Sequence, residues 1–227
     1  MDVLEMFEWA SYAAEALLGA VFALLCYRQA GKREDTQLFF LLLAGFFSCI
    51  CMSDFFFVLT WIIEDYPFTF SSGDLSWVGS FLFLITAVLN VMDGWTPGQK
   101  EAARRYRLPA LIAPAVCVAL NAFFIYSLPD ITVNYLLYAV PTVILLYLSL
   151  WLFLAGKNAG IQPGLRRYHL TVFIWLALQM ICDLFTTFKD IRICWVAGTI
   201  FWYIVLLVMP GIYFSARRRA DPMGVTR

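Results

Sequence analysis

Charged residues are scarce in this sequence. Only 14% of the 227 residues are charged, 62% are hydrophobic, and the mean hydropathy is +0.77. Soluble globular domains carry about 25% charged residues, so this composition indicates an integral membrane protein. Lys and Arg together number 16, as do Asp and Glu. The distribution of these charges along the sequence gives no basic surface that could bind nucleic acid, and we expect no nucleic-acid partner.

The chain also lacks the usual signatures of metal sites and hydrolytic triads. It has one histidine and six cysteines, without CxxC or paired Cys/His spacing, so we expect neither a metal nor another cofactor. No GxSxG sequence is present, which makes the familiar serine hydrolases a poor match. The single histidine, His169, begins an apolar segment beside two arginines, and we expect it at the membrane interface.

Seven apolar runs are long enough to cross a bilayer, which takes about 20 helical residues. Open strands cannot cross lipid, and these runs lack the alternation of barrel strands. The sequence therefore predicts an all-α, polytopic seven-helix bundle that forms one transmembrane domain over residues 1–227. The predicted spans are approximately 4–27, 36–63, 75–95, 108–127, 131–155, 167–188 and 193–215.

The basic residues predict the orientation of these helices. Of the 16 Lys and Arg residues, 14 lie in the first, third and fifth connections or in the C-terminal tail, and only Lys189 and Arg192 lie on the opposite side. The positive-inside rule then places the N-terminus outside and the C-terminus in the cytoplasm. We expect a bacterial cytoplasmic membrane protein whose second and sixth helices run in the same direction.

An internal duplication is suggested by two similar stretches of sequence. Asp54 lies late in one apolar run and is followed by Trp77-Val78, and Asp183 is followed in the same way by Trp195-Val196. The pattern predicts two parallel three-helix repeats with a site between them. Chance similarity between aromatic-rich apolar segments is the alternative. The predicted repeats cover 4–95 and 131–215, with a linker helix at 108–127.

Asp54 and Asp183 are the candidate catalytic residues. A carboxylate at membrane depth costs a few kcal/mol and usually faces the bundle interior or a wet cavity. Two such groups in one site can hold a proton between them, as a general acid requires. The alternative is that each aspartate only bonds hydroxyls or amides of neighbouring helices. The candidates for lining the substrate pocket are Glu15, Thr86, Asn90 and Gln179.

The motifs around these aspartates resemble the YhhN or lysoplasmalogenase family of multi-helix membrane proteins. Met52-Ser53-Asp54-Phe55-Phe56-Phe57 is similar to the first family motif, Gly79-Ser80-Phe81-Leu82-Phe83 to the helix that follows it, and Ile181-Cys182-Asp183-Leu184 to the second motif. The resemblance implies hydrolysis of the vinyl ether bond of lysoplasmalogens, with both aspartates essential. It also implies a membrane lysophospholipid as the partner.

Two other functions fit the same pattern. A transporter of a small solute, or of a substrate coupled to protons, would also use buried carboxylates between two repeats. A non-catalytic membrane receptor or scaffold would need neither a cavity nor a polar path. The sequence predicts no particular oligomeric state.

Overall fold

The computed structural model of the protein describes residues 3–32, 37–63, 71–93, 95–127, 132–156, 158, 163–189, 198 and 200. All regular structure in these ranges is α-helical, which confirms the predicted all-α class. The described helices are α1 (Val3–Ala30), α2 (Gln37–Ile63), α3 (Ser72–Asp93), α4 (Pro97–Arg104), α5 (Arg107–Ala110), α6 (Ile112–Ser127), α7 (Thr132–Ala155) and α8 (Pro163–Lys189).

Five segments are long and apolar enough to span a membrane, and they coincide with the first five predicted spans. Large apolar side chains point outward from them, as Leu17 and Leu24 of α1 do with 70% and 61% of their surface exposed. Exposing this much apolar surface to water is unfavourable, whereas contact with lipid chains is not. The five segments are Trp9–Ala30, Gln37–Thr60, Ser72–Asn90, Arg107–Ser127 and Leu136–Ala155.

The two remaining predicted spans are only partly described. Most of the sixth, 167–188, is helical within α8, and its position in a membrane stays a prediction. The seventh, 193–215, lies outside the described residues except for residues 198 and 200. The orientation and the three-one-three repeat also stay predictions, because the second copy of the repeat extends beyond the described part of the chain.

Prolines explain why the fourth span contains two helices. Pro109 lies in α5, and Pro114 lies three positions into α6. Proline has no backbone N–H, so the carbonyl of Ala110 loses the donor that an uninterrupted helix would supply at Pro114. The backbone tightens at this point, where the N–H of Leu111 donates to the carbonyl of Leu108 at 3.0 Å. The predicted linker segment is therefore a broken helix.

The chain forms two compact units. Unit 1 contains Met1–Gly94 and Val118–Leu145, and unit 2 contains Trp95–Cys117 and Leu146–Arg227. In unit 1, α2 packs against both α1 and α3.

Helices α1 and α2 run antiparallel. Tyr12 in the first half of α1 contacts Phe57 near the end of α2, with ring centroids 5.4 Å apart, and Phe22 contacts Phe47 at 5.3 Å, about three turns further along both helices. The interior of the unit is aromatic and tightly packed: Phe40, Phe46 and Phe47 of α2 are almost wholly buried.

Candidate functional site

Asp54 and Glu15 are buried at the contact between α1 and α2. The exposed fraction is 1% for Asp54 and 6% for Glu15. The Tyr12–Phe57 ring contact lies one turn toward the start of α1. Because side chains three or four residues apart share a helix face, the ring contact and the carboxyl groups belong to the same seam between the two helices.

Gly19 allows the two helices to approach closely beside the carboxyl groups. A Cβ atom on Gly19 would lie 3.0 Å from the carbonyl oxygen of Phe47 and 3.1 Å from the backbone nitrogen of Cys51. These are backbone atoms that cannot turn away, so only glycine fits without a shift of α2. Gly19 is one turn after Glu15 in α1, and this approach brings Glu15 within reach of Asp54.

The carboxyl groups of Asp54 and Glu15 interact directly. The two side chains lie close enough to interact electrostatically, and their charged forms repel each other. An ionised carboxylate can only accept hydrogen bonds, so a hydrogen bond between the two groups requires a proton on at least one of them. Asp54 Oδ2 is buried and has no hydrogen-bond partner among the described residues. The two carboxyl groups therefore lie together inside an apolar helix contact, where a proton on at least one of them removes their mutual repulsion.

The residue next to Asp54 ties α2 to α3. Ser53 is fully buried, and its hydroxyl donates to the carbonyl oxygen of Gly73 at 2.8 Å. Gly73 lies in the first turn of α3, so this bond fixes the level at which the start of α3 meets α2. Because Ser53 directly precedes Asp54, the same bond places the carboxyl groups of Asp54 and Glu15 near the level of the first turn of α3.

Asp74 lies at that end and has a different environment. Its Oδ2 accepts hydrogen bonds from the backbone N–H and the hydroxyl of Ser71 at 2.7 and 2.8 Å, and its Oδ1 accepts from the hydroxyl of Tyr138. The Ser71 hydroxyl also accepts from the Asp74 N–H at 3.3 Å, which completes a capping arrangement at the start of α3. Asp74 therefore caps α3 and anchors α7 within unit 1.

The structure brings together two of the predicted site residues, Asp54 and Glu15, and separates Thr86 and Asn90 from them within unit 1. Thr86 is exposed, and its hydroxyl donates to the carbonyl of Leu82 in its own helix at 2.8 Å. Thr86 and Asn90 lie roughly 20 and 25 Å further along α3 than Gly73, at 1.5 Å per residue. Because Gly73 is bonded to Ser53, the residue before Asp54, both Thr86 and Asn90 are far from Asp54 along the axis of α3.

The remaining predicted site residues belong to α8. Gln179 is half-buried in unit 2. Asp183 is also in α8, but its side chain lies outside the described residues. The predicted pairing of Asp54 with Asp183 therefore stays a prediction, whereas the pairing of Asp54 with Glu15 is described. The sequence singled out Glu15 as a carboxyl group within an apolar segment and as a candidate for the same pocket as Asp54, but it did not predict that the two groups interact directly.

Two buried polar residues of unit 2 were not predicted as interior groups. His169, which we expected at the membrane interface, is completely buried, and neither ring nitrogen has a hydrogen-bond partner within the described ranges. Ser149 of α7 is also fully buried, and its hydroxyl has no partner there. Neighbouring arginines pointed to an interfacial histidine, but adjacent residues of a helix face different directions.

No group of three or more metal-ligating side chains occurs among the described residues. Comparison with family models, with curated proteins and with solved structures returned no match. The resemblance to the lysoplasmalogenase family therefore depends on the three sequence motifs alone, which are those at Asp54, at Gly79 to Phe83 and at Asp183.

Proposed function

We propose that the protein is a membrane-embedded hydrolase that cleaves the vinyl ether bond of lysoplasmalogens in a bacterial cytoplasmic membrane. One observation supports the proposal above the others: the carboxyl groups of Glu15 and Asp54 are buried together between two membrane-length helices. A proton shared by the two groups would be held in an apolar environment, where general acid catalysis of a lipid reaction would need it.

The shared proton is suited to the first step of vinyl ether hydrolysis. The acid donates its proton to the vinyl carbon that is remote from the ether oxygen, which leaves an oxocarbenium ion. The remaining carboxylate stabilises this cation electrostatically. Glu15 and Asp54 together supply the acid and the anion for this step.

Water completes the reaction. It adds to the oxocarbenium carbon and returns a proton to the carboxyl pair, so that the pair is regenerated. The resulting hemiacetal breaks its bond to the glycerol oxygen and releases a fatty aldehyde and the glycerophospho head group. The resemblance to the lysoplasmalogenase family implies that Asp183, the second motif aspartate, is also essential.

The test is aldehyde release from lysoplasmalogen by the purified protein in detergent. We expect Asp54→Asn and Glu15→Gln each to lower the rate by about 10²–10⁴, the usual contribution of a positioned acid. Thr86→Val is the matched control, because Thr86 is exposed and bonded within its own helix. An inactive wild-type protein, or full activity in both carboxyl variants, would contradict the proposal.

A proton-coupled transporter is the second candidate, and the close approach at Gly19 favours it. Proton exchange needs little space, and a change of charge in a buried pair would favour a different packing of α1 on α2. Vesicles that contain the protein and a pH-sensitive dye test this candidate. Proton uptake that requires Asp54 and a transported solute, together with absent aldehyde release, would favour the transporter.

A further inference from the structure

A cluster of exposed basic residues lies between two membrane-length segments. Lys100, Arg104, Arg105 and Arg107, which we call the basic collar, are all exposed, and Glu101 is the single acid within the same stretch. The collar follows the segment Ser72–Asn90 and ends where the segment Arg107–Ser127 begins. Its place in the sequence therefore puts it at a membrane–water boundary.

Trp151 of α7 holds the collar in place within unit 2. Its indole Nε1 donates to the carbonyl oxygen of Ala103 at 2.8 Å, and Ala103 is completely buried. The guanidinium carbon of Arg107 lies 5.2 Å from the centroid of the Trp151 ring, within the range of a cation–π interaction. The middle of the collar and its C-terminal end are thus attached to one buried aromatic side chain.

Further aromatic side chains surround Trp151. Trp95 contacts it with ring centroids 6.2 Å apart, and Tyr147 stacks on it at 5.9 Å. Tryptophan and tyrosine are enriched at the level of lipid head groups because they combine an apolar body with a polar tip. The aromatic layer therefore marks the depth of the head groups beside the collar.

The collar has a defined backbone. Thr96 and Gln99 form a capping box, in which the Thr96 N–H donates to Gln99 Oε1 at 2.9 Å and the Gln99 N–H donates to the Thr96 hydroxyl at 3.4 Å. The hydroxyl of Tyr106 and the side chain of Asn158 are also hydrogen-bonded, which links the collar to the connection between α7 and α8. The four basic side chains therefore extend from α4, from its C-cap Arg105 and from the first residue of α5.

We propose that the basic collar binds the phosphate groups of anionic phospholipids in the leaflet that it faces. Four cations against one acid provide charge complementarity to an anionic head group, and each guanidinium can donate two parallel hydrogen bonds to phosphate. Polybasic segments beside membrane helices bind anionic lipids in this way. The predicted orientation places the collar in the cytoplasmic leaflet. The occupant is thus a lipid that the bilayer already contains.

Native mass spectrometry of the full-length protein in neutral detergent tests this proposal. The probes are phosphatidylglycerol and phosphatidylcholine with identical acyl chains. Replacing Lys100, Arg104, Arg105 and Arg107 with Gln should reduce the preference for phosphatidylglycerol roughly tenfold or more, because each basic residue near an anionic surface adds to the attraction. Added salt should weaken the preference of the wild-type protein, because salt screens exposed charges.

Two control variants separate the collar from general charge and from misfolding. Replacing Arg217, Arg218, Arg219 and Arg227 with Gln removes the same charge from the C-terminal tail and should preserve the lipid preference. Replacing the three collar arginines with Lys keeps the charge and should retain most of the binding. Circular dichroism and gel filtration establish that each variant is folded.

Three results would overturn the proposal. The first is an unchanged lipid preference in a folded collar variant with four Gln residues. The second is an equal loss of preference in the tail variant. The third is displacement of the lipid by inorganic phosphate at the same concentration, which would make the collar a site for free phosphate.

Discussion

Two aspartates of unit 1, Asp54 and Asp74, differ in their hydrogen-bond partners. Asp74 is half-buried and accepts hydrogen bonds from Ser71 and Tyr138. Asp54 is almost fully buried, interacts with another carboxyl group, and has one oxygen without a partner among the described residues. Asp74 has the donors that an ionised carboxylate requires, whereas Asp54 depends on a proton.

The different hydrogen-bond partners indicate a structural role for Asp74 and a chemical role for Asp54. Buried polar groups without enough partners are costly and are rarely retained for stability. A pair of buried carboxyl groups is stable only with a proton on at least one of them, and such a proton is available for transfer. We therefore interpret Asp74 as a helix cap and Asp54 as the functional group.

The largest predicted effect comes from exchanging carboxyl for amide at these two positions. Asp54→Asn should abolish most of the aldehyde release, by about 10²–10⁴, with little loss of thermal stability, because an amide can still bond the Glu15 carboxyl. Asp74→Asn should lower the free energy of unfolding by about 1–2 kcal/mol, because charge-assisted bonds to the cap and to Tyr138 are lost. Activity assays and thermal melts of both variants measure these effects, and the reverse pattern would contradict the comparison.

The second prediction concerns the close approach of α1 and α2. Gly19→Ala should destabilise the protein by about 1–3 kcal/mol, because the added Cβ meets backbone atoms of α2. Gly79→Ala is the matched control: its Cβ would meet only the Sγ of Cys49 in α2, at 3.4 Å, which is an ordinary van der Waals contact. Thermal melts in detergent compare the two variants. An equal loss of stability in both would show that the α1–α2 backbone contact has no special importance.

A smaller effect is expected at the bond between α7 and α3. Tyr138→Phe removes the hydroxyl that donates to Asp74 and keeps the ring. The free energy of unfolding should fall by about 1 kcal/mol, with unchanged activity per folded molecule. In the Asp74→Asn background the second substitution should cost less, because the two residues share the bond. Full additivity of the two losses would contradict the described contact.

The smallest effect is expected at Thr86. Its exposed hydroxyl bonds only the carbonyl of Leu82 within α3, so Thr86→Val should change the free energy of unfolding by less than about 0.5 kcal/mol. Aldehyde release should equal that of the wild type. A large loss of activity in this variant would restore Thr86 as a pocket residue and would move the site toward the other end of α3.

The membrane helices were predictable because their signal is local. Apolar runs of sufficient length identified five spans and the all-α class. The break between α5 and α6 follows from the spacing of Pro109 and Pro114, but apolarity alone does not reveal it.

The pairing of side chains was less predictable. Glu15 and Asp54 meet because of the rotation of α1 and the small size of Gly19, and a helix that is apolar on every side gives little sign of which face its neighbour covers. Asp74 and Tyr138 are 64 residues apart in the chain, so nothing local indicates their contact. The position of Asp54 in an apolar run did identify it as the residue to examine.

Infrared spectroscopy of the protein in lipid provides the most direct test of the shared proton. A protonated carboxyl group has a C=O stretching band that an ionised carboxylate lacks. We predict this band in the wild-type protein at neutral pH, altered in both Asp54→Asn and Glu15→Gln and unchanged in Asp74→Asn. A wild-type spectrum without the band, or a band that only Asp74→Asn removes, would contradict the assignment of the proton to Glu15 and Asp54.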